Sequence, residues 1–272
     1  AKAVYEPVSL LRLFGGIRHD RFSGDTINSV TGLHRDMKDY DVTTYKGGVI
    51  VTPVEQISLY GNAATTFALP YGTNKYAANA PDERDFFFWE LGFKAQLWDW
   101  LLFRYAYFDQ EEAGLAFVRG EWVSQGDAAR KGHELELNVR PLDALELFAA
   151  YTHHGTQFEN GPNAGNELAH VPEYHLKVGV QYTLPWETTE VRGWYDAAGR
   201  WFTNATNQNA YDGYDIIDLK VIQTLGGLWK LSLDVKNLTD ETYSEFVSFW
   251  SGENQYAGSN ARAFYLTLTY DF

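Results

Sequence analysis

The stretch Ala261-Arg262-Ala263-Phe264-Tyr265-Leu266-Thr267-Leu268-Thr269-Tyr270-Asp271-Phe272 decides the fold. Phe264, Leu266, Leu268, Tyr270 and Phe272 fall on one side of an extended strand, and Ala263, Tyr265, Thr267, Thr269 and Asp271 on the other. A strand with one apolar and one polar face is half buried. It either closes a soluble β-sandwich or stands in the wall of a membrane barrel. In the barrel, hydrocarbon covers the outside while water or protein covers the inside.

Composition moves the balance toward the barrel. The 272 residues carry 16% aromatics, nine Trp, 24 Gly and no Cys, with a mean hydropathy of −0.35. No apolar run approaches the length of a membrane helix. A barrel evades such a search, because its alternating strands average to neutral. The lack of Cys suits an exported protein. A net charge of −14 excludes nucleic acid as a partner, since phosphates need a basic patch. Acidic runs such as Asp36-Met37-Lys38-Asp39-Tyr40-Asp41 read as solvated loops rather than calcium sites.

The same alternation recurs along the chain. Trp229, Leu231, Leu233 and Val235 point one way, and Lys230, Ser232, Asp234 and Lys236 the other. His133–Arg140 and Tyr174–Tyr182 repeat the pattern, and helical spacing would scatter these charges around every side. The pattern predicts an all-β, up-and-down antiparallel transmembrane barrel wall. About twelve strands are expected, over 4–22, 42–53, 55–69, 85–97, 99–112, 117–141, 143–156, 172–184, 186–203, 214–225, 227–246 and 261–272.

The connections alternate. Tight ones fall at Pro53-Val54-Glu55, Trp98-Asp99-Trp100, Pro141-Leu142-Asp143, Pro185-Trp186 and Leu225-Gly226-Gly227. Longer ones fall at 23–41, 70–84, 157–171, 204–213 and 247–260, with a short exception at 113–116. A membrane barrel keeps minimal turns on one rim and functional loops on the other. Trp98, Trp100, Trp186 and Trp229 gather at the tight rim, where amphipathic indoles meet headgroups.

One face of these strands carries Arg12, Arg18, Glu90, Lys94, Glu134, Glu136, Arg140, Lys177, Lys220, Lys230, Asp234 and Lys236. Unpaired charges in a dry core cost several kcal/mol each, so this face is expected to line a wet or polar lumen, with a ladder of ion pairs that stiffens the wall as its plainest role. The long loops carry Tyr71, Tyr76, Phe158, Trp201, Phe202, Tyr211, Phe249, Trp250 and Tyr256, with Trp122 high on a strand. Exposed aromatics there suit a planar or amphipathic ligand, or pack on one another as a lid. His153 and His154 end a strand near the loops, and at most one of them faces the lumen. No catalytic or metal-binding motif is evident, so neither an enzyme nor a resident cofactor is expected.

Seven segments resemble TonB-dependent outer-membrane receptors. Gly15-Gly16-Ile17-Arg18-His19-Asp20-Arg21-Phe22 is similar to a G-x-R-x-D strand end, and Ile57–Pro70 (ISLYGNAATTFALP) to a second family strand. Trp89–Lys94 (WELGFK), Lys131–Leu137 (KGHELEL), Val171–His175 (VPEYH) and Val235–Tyr243 (VKNLTDETY) follow in family order, ending at Tyr270-Asp271-Phe272. Asp271 stands where the family often has a basic residue, and residues 67–77 lack its haem-loop signature.

The resemblance implies a bacterial outer-membrane receptor of the siderophore type, with residues 1–272 forming the C-terminal part of a barrel of about 22 strands. No plug domain is expected within this stretch. The implied partners are outer-membrane lipid, a periplasmic TonB-type energy-coupling protein and, as one option, a separate chain that supplies the plug and remaining strands. The implied activity is import of a scarce chelate, a ferric siderophore foremost, with iron present only as cargo. A passive pore or a structural barrel subunit of a larger assembly is the alternative.

Overall fold

The computed structural model describes residues 1–272 apart from Tyr71, Asn79, Arg119, Gly120, Asn260 and Phe272; for 72–73, 113–118 and 121–125 it describes the backbone alone. The elements are almost all strands: β1 (Lys2–Val8), β2 (Leu11–Phe22), β3 (Asp25–Ile27), β4 (His34–Asp36), β5 (Tyr40–Val54), β6 (Ile57–Ala68), β7 (Arg84–Trp98), β8 (Leu101–Val118), β9 (Glu121–Leu142) and β10 (Leu145–Phe158). They continue as β11 (Tyr174–Thr183), β12 (Thr189–Ala198), β13 (Trp201–Phe202), β14 (Ala210–Tyr211), β15 (Tyr214–Leu225), β16 (Trp229–Lys236), β17 (Val247–Trp250), β18 (Glu253–Tyr256) and β19 (Ala263–Tyr270). Among the described residues a 3-10 turn spans Gly72–Tyr76.

Thirteen strands hydrogen-bond in the order β1-β2-β5-β6-β7-β8-β9-β10-β11-β12-β15-β16-β19. The remaining six form three small hairpins, β3-β4, β13-β14 and β17-β18, inside the long connections. Every wall strand thus lies beside its neighbour in sequence, as in an up-and-down meander.

The count of about twelve is corrected to thirteen. The predicted strand 4–22 is a hairpin, with Val8 opposite Leu11. Its turn residues, Ser9 and Leu10, include no glycine or asparagine, so the alternation reads straight through them. The connection expected at 113–116 is also strand, because β8 runs on to Val118. The strands predicted to run to 203 and 246 stop at Ala198 and Lys236. Asn237 ends the latter with a positive φ of 50°. The extra hairpin turn preserves the alternation of tight and long connections back to the first strand.

Two register shifts have a covalent cause. They fall between Tyr5 and Val8 and between Val51 and Val54, and each interval contains a proline, Pro7 or Pro53. Proline has no N–H to give the ladder and is confined to edges and irregularities. At the last tight turn, Gly226 and Gly227 both take positive φ (60° and 80°), which glycine adopts without Cβ strain.

The chain forms two compact units. One comprises Ala1–Gly92, Tyr107–Lys131 and Thr156–Asn166; the other Phe93–Ala106, Gly132–Gly155 and Glu167–Phe272. In the second unit the register stacks apolar on apolar: Leu233 opposes Val221 on one side and Leu266 on the other, and Trp229 opposes Tyr270. This face is nonetheless open. Phe264 is 66% and Leu266 73% exposed. The packed core lies instead beyond the strand ends, where Ala198, Trp201 and Val247 are buried against Tyr211 and Tyr214.

Candidate functional site

Two features of the second unit stand out, a ladder of ion pairs along the polar face and a cross-linked group of loops. The ladder follows from register. Lys177 opposes Asp196, and Lys220 opposes Asp234. Their charged atoms approach to 3.4 and 3.1 Å. Lys236 reaches Asp218 at 2.7 Å, and Lys230 reaches Asp271 at 2.7 Å. The acid at 271 therefore has a local partner across the β16–β19 strand pair. On β8 to β10, Arg104 meets Glu136 at 2.9 Å and Arg140 meets Glu146 at 2.8 Å. Exposed pairs of this kind contribute about 0–1 kcal/mol each. Their main effect is to leave the strip nearly neutral.

In the first unit, Arg18 pairs with Asp20 at 2.7 Å and opposes Thr44, on the same side of β2 as Arg12. Glu90 and Lys94 occupy even positions of β7, whereas Leu91, on an odd position, is exposed. Glu134 and Glu136 likewise share the even positions of β9.

The loops are tied together by polar side chains. Thr203 Oγ1 donates to Asn254 Oδ1 (2.7 Å), and Asn254 Nδ2 donates to the Ala210 carbonyl (3.1 Å). The Ser244 N–H donates to the Tyr211 hydroxyl at 3.1 Å. Asn207 brackets Glu167, accepting its N–H at 2.6 Å and donating to its carbonyl at 2.9 Å. Asn237 brackets Glu241 in the same way, with both bonds at 2.8 Å, while its own N–H donates to Asp218 (2.9 Å). The Arg262 N–H donates to Asp240 at 3.0 Å. These bonds give the VKNLTDETY segment a physical reading: it turns β16 outward and pins the root of the 237–262 loop.

His170 joins three loops. Its N–H donates to the Phe202 carbonyl (2.8 Å), and its ring lies 5.0 Å from that of Phe246. Burial pushes its pKa below the ordinary 6.5, against a smaller opposing contribution from a hydrogen bond with the Thr203 backbone. Burial likewise raises the Tyr243 hydroxyl above its ordinary value.

The aromatic candidates separate by environment. Trp201, only 4% exposed, meets Tyr211 edge-on at 4.7 Å. Phe158 is buried at the end of β10. Phe202 is half-buried under the Arg200 guanidinium, 4.5 Å away. Phe249 is half-buried and Trp250 is 74% exposed at the β17–β18 tip. Tyr76 ends the 3-10 turn with Lys75 over its ring at 5.7 Å. Tyr71 and the Trp122 side chain lie outside the described residues. His153 shares the apolar face with Tyr151 and Tyr174, and His154 lies on the opposite side of β10, against Gly132.

A family model described as TonB dependent receptor-like, beta-barrel, matches residues 5–238. The chain belongs to this family. Its members are receptors of the Gram-negative outer membrane, so the exposed apolar face is the one turned to lipid. The family comprises receptors and transporters rather than enzymes. A probable TonB-dependent siderophore receptor, PiuA of Acinetobacter baumannii, is 23% identical over 266 residues, covering 84% of this chain and 34% of PiuA. The crystal structure of PiuA superimposes with a TM-score of 0.85 at 19% identity, over 97% of this chain and 41% of PiuA. The ferric yersiniabactin uptake receptor FyuA of Yersinia pestis gives 0.85 at 16% identity, over 100% and 44%. The chain therefore spans about a third of the curated relative and under half of these solved receptors.

Sequence reasoning passed over Asp196 and Asp218, which complete the ladder, and Trp194, whose ring lies under the Lys236 ammonium. They sit in strands whose alternation is blurred by Gly193, Ile216 and Ile217. Once the register is drawn, parity alone finds them.

Proposed function

We propose that this chain is the C-terminal part of a larger TonB-dependent receptor barrel, and that the complete receptor imports a scarce chelate across the outer membrane. A ferric siderophore is the favoured cargo, and a periplasmic TonB-type protein supplies the energy. The observation that carries this reading is the family match over residues 5–238. Two others support it. Strands β1 and β19 stand at the ends of the sheet order, and relatives are more than twice as long. Plugged outer-membrane transporters have about 22 strands.

In this reading the polar face lines the lumen, with Arg18, Glu90, Lys94, Glu134, Glu136, Arg140, Lys177, Lys220, Lys230, Asp234 and Lys236 on it. In the second unit Phe202, Phe249 and Trp250 receive the ligand while Trp201 and Tyr211 hold the loops in place; in the first, Tyr76 is the ligand candidate and Phe158 packs at its own strand end. The wall performs no covalent chemistry. It binds through stacking and charged hydrogen bonds and confines the cargo.

The test is uptake of radioactive iron by cells whose receptor of this type is the full-length protein containing this chain, supplied with a panel of ferric chelates. Accumulation from one chelate, lost when energy coupling is removed, is the expected result. Equal leakage of all chelates regardless of coupling would replace import with a passive pore. No accumulation from any chelate would remove the reading.

A further inference from the structure

Within the second unit the polar face is interrupted by a cleft of about 170 Å³, lined by Lys177, Trp194, Asp196, Ile216, Asp218 and Lys236. Trp194 is its aromatic lining, and the strand beside that residue is close-packed. Gly179 lies opposite Trp194 on β12 and opposite Phe148 on β10. A Cβ at Gly179 would collide with the Phe148 ring, so only glycine lets that ring lie across β11. The walls are the two ion pairs, Lys177–Asp196 and Lys236–Asp218, and the Lys236 ammonium also lies 5.8 Å from the centre of the Trp194 ring.

We propose that this cleft binds one aromatic ring bearing an anionic oxygen next to a hydroxyl, as in a hydroxybenzoate. Size sets the first limit. Sites for drug-sized ligands occupy roughly 300–1,000 Å³, so this cleft takes a single substituted ring rather than a whole chelate. Charge sets the second. Each lysine ammonium has three donors and shares one with its aspartate, leaving donors for an anionic oxygen. The two aspartates cancel the net positive charge, so a bare inorganic anion gains little there. They also offer acceptors to a ligand hydroxyl. Asp218 is already fixed from both sides, by Lys236 at 2.7 Å and by the Asn237 N–H at 2.9 Å, so the wall is set before a ligand arrives. The Trp194 indole lines the cleft and supplies its aromatic contact.

The inference rests on the lumen reading, because the cleft must be open to water. Residues 1–272 hold no cysteine, so Ile216→Cys adds one reactive site inside the cleft, its labelling read against that of the unsubstituted full-length protein. The measurement is the labelling rate of this variant in detergent with a charged, water-soluble maleimide, with and without salicylate. Labelling that slows by about tenfold at ten times the dissociation constant is the expected result. Benzoate and cyclohexanecarboxylate should protect progressively less, and Lys236→Met combined with Ile216→Cys should abolish protection while the strand signal in circular dichroism is kept. Rapid labelling without protection by salicylate overturns the cleft as a site and leaves the lumen reading standing. Protection by phosphate equal to that by salicylate overturns the assigned ligand class. Failure of Ile216→Cys to label, while Leu219→Cys on the opposite face labels, overturns the lumen reading itself.

Discussion

The wall strands and the loops of the second unit treat their aromatic and apolar side chains in opposite ways. On the wall strands, Phe264 and Leu266 are largely exposed, whereas in two of the long connections Trp201 and Val247 are buried. A water-soluble protein does the reverse, hiding its strands and leaving its loops wet. The difference shows which solvent each region meets. The strands are shielded by hydrocarbon and need no protein core beneath them, while the loops stand in water and must build their own.

The sharpest break would come from Trp201→Ala. Emptying a buried indole site should cost the loop assembly about 3–5 kcal/mol. Limited proteolysis should then cut within 237–262 while the wall stays intact; a loop as resistant as the parent would show that Trp201 is not its keystone. Next comes Leu266→Arg. On the lipid side a charge costs about 2–4 kcal/mol at the membrane midplane, so assembly into vesicles should fall sharply, whereas Thr267→Arg on the other face should assemble normally. Equal losses from both would dissolve the contrast between the two faces.

A smaller loss, about 1–3 kcal/mol, is expected from Asn237→Ala, which leaves the Glu241 N–H and carbonyl without their bracket. Hydrogen exchange at 237–246 should quicken while β15 and β16 stay protected. The smallest effect is one of pH. The His170 imidazole is held below its ordinary 6.5 in the packed loops. Above that value it is neutral whether the loops are packed or open, and packing is unaffected. As pH falls below 6.5, the open form takes up the proton first, so packing weakens down to the lowered value of the packed state. The protection factors for hydrogen exchange around residues 168–173, taken relative to the intrinsic rate at each pH, should therefore fall between neutral and mildly acidic pH, and His170→Gln should remove that dependence.

Much of the wall was legible because period-two alternation is local. The faces of β16 and β19 follow from parity alone, and so do Lys177, Lys220, Lys230, Asp234 and Lys236. What escaped was set by pairing. Ser9 and Leu10 form a turn because Leu11 can lie back on Val8, and neither is a glycine or asparagine that would announce it. Trp201 reads as a free loop aromatic until Val247, far along the chain, is seen packed against it. The two loop-linking carboxamides, Asn207 and Asn254, are ordinary loop residues in one dimension; only their distant partners give them a role.

The neighbour-to-neighbour order of the thirteen strands has a consequence for biogenesis. Each new strand finds its partner immediately upstream, so the entropy lost in closing any one hairpin is small and nearly constant along the polypeptide. The long excursions do not alter this for most steps, because three of them fold back on themselves as β3-β4, β13-β14 and β17-β18 and so shorten the gap to be spanned. The sheet can thus be laid down stepwise, hairpin after hairpin, with no stage at which a distant segment must be awaited before the next rung forms.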